Sequence, residues 1–350
     1  MIDGQVTYPG RQAEGTLLNS RMVQAIWDAE NYDFDEEANV QGFIDNLPNY
    51  AAKGLNMVTV GLQGGLTGLG SAPKSTAFNA DGSLKDDWMN RLDRVIEAAL
   101  ANGIIVEVQL FYRTQDHYIA TDNAVTAAVN NVVDWLATNG YTEAVLFEVA
   151  NESNVDLFSD HPILQPDNIH QLITQAKNRS GGKLLVSTSI NSGSKIPPDS
   201  IIRASDYVLL HGNGTNPARL KEVIDTVRGR DVYISQPKPI LVNEDSTSTA
   251  QMDAALSKGV GWGYYDQEGF QNIPANWGIN TPAKTNFFNK VQSYAGRPTA
   301  PPSPAPTESP LPSPTPQPSP PLECSGTTVT PGDDVQEKLK CRSRWSHFLL

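Results

Sequence analysis

Short, nearly continuous apolar runs alternate along this chain with stretches of helical period. The runs are 56–62, 104–111, 144–149, 183–188, 207–211, 239–244 and 260–265, with 21–27 as the candidate first. Runs of this length without polar alternation predict strands covered on both faces, as in parallel sheets. Between them, Trp88, Met89, Leu92, Val95, Ile96 and Ala99 form one helical stripe. Further stripes run through Val125 to Leu136, Ile169 to Ala176 and Leu220 to Val227. Lys53-Gly54 and Asn139-Gly140 mark helix ends, where glycine takes the left-handed conformation without a Cβ clash. Eight strands alternating with helices predict an α/β fold, the (β/α)8 TIM barrel. An open doubly wound sheet is the rival. It lacks a Gly-x-Gly-x-x-Gly or phosphate loop after the first strand.

Barrel enzymes gather their chemistry at the C-terminal strand ends. Here strand four ends in Asn151-Glu152, strand seven in Glu244 and strand six in His211. Strand eight carries Trp262, Tyr264 and Tyr265, and a later loop holds Asn276 and Trp277. Two Asn-Glu pairs, three strands apart, can oppose two carboxyl groups across the barrel mouth. Such a pair is what acid-catalysed glycoside cleavage requires, one protonated and one ionised. The competing reading has both glutamates pairing with arginine or capping helices. Arg21, Gln63, Arg113 and His117 are further candidates for lining the cleft.

Composition narrows the function. There are 39 acidic against 26 basic residues, a net charge of -13, which disfavours a nucleic-acid partner. No apolar run reaches membrane-spanning length. Cys324 and Cys341 are the only cysteines, so cysteine zinc ligation cannot organise the first 323 residues. The five histidines include no His-x-His pair. A metal-dependent barrel hydrolase is therefore poorly supported, and no metal or cofactor is expected.

Proline divides the chain. Of 25 prolines, 12 lie between Pro298 and Pro321. The expected organisation is a barrel over 1–297, a polyproline-II spacer over 298–322 and a short Cys-containing tail over 323–350. The Ser-Pro and Thr-Pro pairs resemble O-glycosylated linkers of secreted plant and algal proteins, against an undecorated disordered tail. TVTPGDDVQEKL resembles the start of a LysM carbohydrate-binding module and stops before one is complete. The N-terminus has no basic-then-apolar leader pattern. A start downstream of the true N-terminus would reconcile this with an extracellular or cell-wall location.

Taken over residues 15–295, the chain resembles the retaining glycoside hydrolases of clan A, the barrel superfamily of cellulases and mannanases. NSRMVQAIWDAEN and MVTVGLQGG are similar to cellulase-like bacterial sequences. The resemblance implies Glu152 as acid/base, Glu244 as nucleophile and Asn151 on the sugar 2-hydroxyl. It implies His211 against the nucleophile and Trp262 as the sugar floor. Tyr265, Trp277 and Arg21 are expected around the substrate. The implied reaction is hydrolysis of β-glucan or mannan with retention, by a monomer. The alternative is a catalytically silent carbohydrate-binding barrel. Two departures stand out: Phe111-Tyr112-Arg113 where the clan often has histidine, and His211-Gly212-Asn213 where it often has His-x-Tyr.

Overall fold

The structure, a computed structural model, describes residues 2, 4–64, 73–154, 158, 160–191 and 195–296. The spacer and tail expected over 298–350 lie outside them. Eight strands run in sequence order: β1 Leu18–Arg21, β2 Met57–Gly61, β3 Ile105–Phe111, β4 Val145–Ala150, β5 Leu185–Ser187, β6 Val208–His211, β7 Ile240–Glu244 and β8 Gly261–Tyr264. Every ladder is parallel, and β8 returns to pair with β1. Between β5 and β6 no regular ladder forms. There the Asp206 N–H donates to Val186 O at 2.9 Å, and the Ser187 hydroxyl to Tyr207 O at 2.7 Å. The result is the expected (β/α)8 barrel, nearly closed.

The outer layer comprises α1 Glu36–Lys53, α2 Asp86–Ala101, α3 Asp122–Thr138, α4 His170–Arg179, α5 Asp199–Ala204, α6 Pro217–Arg228, α7 Asp231–Ser235, α8 Thr249–Leu256 and α9 Pro282–Ala295. Several begin as their sequences dictate. Asp35, Thr121, Asn216 and Thr281 each accept a hydrogen bond from a first-turn N–H, and Pro217 and Pro282 occupy positions that need no donor. Gly54 ends α1 at φ 95°, as the Lys-Gly signal predicts. The apolar stripes pack on outward-facing strand residues such as Val58, Val106, Val108 and Val242 to form the main core.

The barrel interior is layered. Met57, Leu146, Tyr207, Leu209 and Leu241 plug its lower end. Above them sits a polar layer. Glu107 accepts from Thr59 at 2.9 Å, Asn243 at 2.9 Å and Tyr207 at 3.1 Å, while Asn19 donates to Thr59 and to Asn243 O. Gly263 makes room for this layer, and Gly261 for Leu241 in the plug beneath it. A Cβ on Gly263 would lie 2.2 Å from Asn243 O.

The first strand is misplaced by the pattern. It is Leu18–Arg21, not 21–27, and residues beyond it turn off the strand end. Met22, Ala25 and Ile26 are apolar because they join the core beside α1, where Asn39 donates to Gln24 O and Ala25 O. The true strand reads Leu-Asn-Ser-Arg because Asn19 and Arg21 face the polar interior.

Candidate active site

Above the polar layer, the strand ends open into a cavity of about 230 Å³. Its lining includes Arg21, Tyr112, Arg113, Asn151, Glu152, Asn213, Glu244 and Tyr265. A larger, shallow depression of about 770 Å³ lies over α3 and α4, but no carboxylate lines it.

Glu244 ends β7 and is gripped from two sides. Arg21 Nε lies 2.7 Å from its Oε2, and the Asn213 amide donates to its Oε1 at 2.8 Å. Arg21 is 1% exposed and also reaches down to Gln109 at 2.5 Å and Glu148 at 3.9 Å. Burial works against its charge, yet Glu244 and then Glu148 hold its pKa above the ordinary value. Glu148 itself is pushed up to about 7, first by burial and then by the nearby charge of Glu107.

Glu152 sits just past β4 in a left-handed backbone conformation, φ 55°. Such strain in a non-glycine residue costs about 1–3 kcal/mol and persists only where surroundings enforce it. Here Ser189 enforces it: its hydroxyl accepts from Glu152 N at 2.9 Å, and its carbonyl from Ser153 N at 3.1 Å. His211 Nδ1 lies 3.0 Å from Glu152 Oε1, and Arg113 lies 4.0 Å from Oε2. Burial alone would raise the Glu152 pKa. The His211 hydrogen bond and the charges of His211, Arg113 and Arg21 outweigh it and hold the carboxyl at about 2. Burial likewise opposes charge on His211, but Glu244 and Glu152 raise its pKa above the usual value.

The structure therefore brings Glu152, Glu244, Asn151, His211, Arg21 and Tyr265 together. One oxygen of each catalytic candidate and a His211 ring nitrogen all lie within 4.8 Å of one another. Asn151 Oδ1 and Asn213 Oδ1 are buried without a hydrogen-bond partner.

His211 lies against Glu244 as expected, yet its hydrogen bond goes elsewhere, and two further expectations need correction. His211 bonds Glu152; its Nδ1 is 3.8 Å from Glu244. Its place opposite Glu244 follows from a register shift at Leu210/His211. Trp262 does not floor the cleft. Gly261 and Gly263 take the inward positions of β8, so Trp262 turns outward, donates to Asp245 at 2.7 Å and packs on Phe287. Tyr265, next in the inward series, lines the cavity. Trp277 stacks on Phe270 and donates to Asn39 behind α1, outside the cavity lining.

Gln63 is buried, bonded to Thr76 and Tyr112 N, and His117 is exposed on the β3 loop; neither lines the cavity. Arg113 does. Asn213 and Glu148 escaped the sequence reading. For Asn213 the signal was Gly212, where a Cβ would stand 2.2 Å from Asp245 Oδ2 and which lets the chain turn Asn213 onto Glu244.

A family model described as Cellulase (glycosyl hydrolase family 5) matches residues 34–160, which include Glu152. Among solved structures, a glycoside hydrolase family 5 enzyme from Prevotella bryantii B14 is similar at TM-score 0.56 and 11% identity, covering 83% of this chain and 99% of that one. A broad-specificity endoglucanase from Clostridium longisporum has TM-score 0.57 and 10% identity over the same shares. A family 5 lichenase from Caldicellulosiruptor sp. F32 has TM-score 0.51 and 13% identity, covering 84% and 96%. At these identities the likeness carries the fold. No curated protein sequence matches the chain. The cellulase match thus runs from α1 to the turn beyond β4 of this barrel, and over that part the chain is similar to a family of glycosidases.

Proposed function

We propose that the enzyme cleaves β-linked glycans of glucan or mannan type by double displacement, with net retention. The observation that carries this reading is the pair of strand-end carboxylates sharing one cavity, with one oxygen of each inside 4.8 Å of the other. Inverting enzymes keep their carboxyl groups about 6.5–9.5 Å apart, to seat a water between them. Glu244, ionised and aimed by Arg21 and Asn213, attacks the anomeric carbon. Glu152 protonates the departing oxygen, then takes a proton from the water that releases the sugar. The Glu152–His211 pair holds one proton along its 3.0 Å bond. In the free enzyme that proton rides on His211; its transfer gives the protonated acid and a neutral imidazole. Asn151 Oδ1 accepts from the sugar 2-hydroxyl, and Tyr112 and Tyr265 flank the ring.

Structures of similar fold are described as an endoglucanase and a lichenase, which favours a glucan backbone. On this reading the enzyme works as a monomer outside the cell or in its wall, with residues 298–322 as spacer. No helix among the described residues is long and apolar enough to cross a membrane.

Azide rescue with product stereochemistry tests the assignment. Glu152→Ala should still be glycosylated by an activated aryl glycoside, and azide should return the β-glycosyl azide. Glu244→Ala should fail on both substrate types, and azide should give the α-anomer. Swapped anomers would reverse the roles; wild-type rates in both variants would remove the mechanism.

A further inference from the structure

A second cluster of ligating side chains lies where the loops after β3 and β4 meet. Asp116, His117 and Asp160 each bring one ligand atom within 4.8 Å of the other two. Among the described residues, no hydrogen bond or ion pair joins any two of these side chains. Two carboxylates drawn this close repel unless a cation or proton lies between them. Asp116 is 1% exposed, and its Oδ2 is buried without a hydrogen-bond partner. A buried carboxylate oxygen left without a donor is a standing cost that a bound cation removes.

The cluster is tied together from beneath. Buried His161, beside Asp160, places Nε2 3.1 Å from Asp116 O and 3.0 Å from Ile119 O, with Nδ1 3.0 Å from Asp122 Oδ1. One imidazole thereby fixes the backbones that carry Asp116 and Asp160. His117 and Asp160 are exposed and within reach of solvent ions.

We propose that Asp116, His117 and Asp160 form a binding site for a divalent transition-metal ion. The donor set makes the selection. Calcium takes six to eight oxygens and magnesium keeps its water, whereas one imidazole with two carboxylates suits Zn²⁺ and its neighbours. Metal–ligand bonds of about 2.0–2.2 Å require the ligand atoms to draw in by roughly an ångström. The two exposed side chains supply that movement. The ion takes no part in glycoside cleavage, because none of the three residues lines the catalytic cavity. It clips together the loops that carry Arg113 and Glu152.

The test is calorimetric titration of the full chain with Zn²⁺ at pH 7, with thermal melts alongside. One site of micromolar Kd is expected, with Tm raised by about 4 °C at a hundredfold excess over Kd. His117→Ala and Asp160→Ala alter exposed side chains and should each weaken binding by about tenfold or more. His170→Ala, at a histidine elsewhere on the surface of α4, should leave it unchanged, and Ca²⁺ should not compete. Millimolar binding, or binding indifferent to both site variants, would overturn the proposal. So would equal loss in His170→Ala.

Discussion

Replacing His211 with glutamine removes the imidazole that lies 3.0 Å from the Glu152 carboxylate. A carboxyl held at about 2 instead of 4.5 is favoured as the anion by about 3 kcal/mol, and His211 supplies both a hydrogen bond and a charge toward that figure. Without the imidazole, burial pushes Glu152 up against only the two guanidiniums. The stability consequence has a definite window. Glu152 is depressed, so its contribution is full above pH 4.5 and is lost as pH falls through about 2. His211 is raised, so its contribution is full below pH 6.5 and is lost as pH rises through the elevated value. These are two limits of one interaction. The Tm difference between wild type and His211→Gln should therefore be largest between pH 4.5 and 6.5. In kinetics, the basic limb of the wild-type kcat/KM profile should lie above pH 6.5, because the proton resides on the pair. In the variant it should fall toward the range of a buried carboxyl. At pH 7 the variant should lose about 10²-fold on an unactivated oligosaccharide, the scale of positioned acid catalysis, and little on a dinitrophenyl glycoside. Coincident basic limbs, or equal losses on both substrates, would refute the proton-sharing argument.

Arg21→Met strands Glu244 and Glu148, and breaking a buried ion pair costs about 3–5 kcal/mol. Chemical denaturation should show that loss, with kcat reduced even for activated leaving groups. Trp262→Phe deletes the indole donor to Asp245 inside the wall. It should lower stability by about 1–3 kcal/mol and leave KM unchanged, whereas Tyr265→Ala should raise KM; a raised KM in Trp262→Phe would put the indole back at the sugar. A chain ending at Arg297 should keep its melting temperature and its rate on soluble oligosaccharide, since the segment removed offers few apolar side chains to pack. A lowered melting temperature would contradict this.

The seven later strands were legible because each presents an apolar outer face to helices. β1 was not, because Asn19 and Arg21 serve the polar interior and the apolar signal belongs to the turn that follows. The catalytic candidates were legible as strand-end Asn-Glu pairs. Their partners were less so, since side-chain contacts depend on register. A one-residue change of parity decides whether Trp262 or Tyr265 faces the cavity, and glycine at 261 and 263 is the clue that settles it. Glu107 and Glu148 sit inside apolar runs, where a single acid reads as an interruption rather than as an interior layer.

The weak closure between β5 and β6 has a consequence for how the enzyme fails on heating. Its two sides hold different parts of the same glutamate: Ser189, just past β5, bonds the backbone of Glu152, and His211, on β6, bonds its carboxylate. Breathing at this seam pulls the two anchors apart while the other ladders stay zipped. The enzyme should thus lose turnover several degrees before it melts, and amide exchange at Val186 and Ser187 should outpace that at Val106 to Gln109. Equal protection across both segments would rule this out. Heat tolerance of activity is then governed by one narrow seam rather than by the barrel as a whole, and cross-linking that seam would widen the working temperature range without touching a single group that meets the sugar.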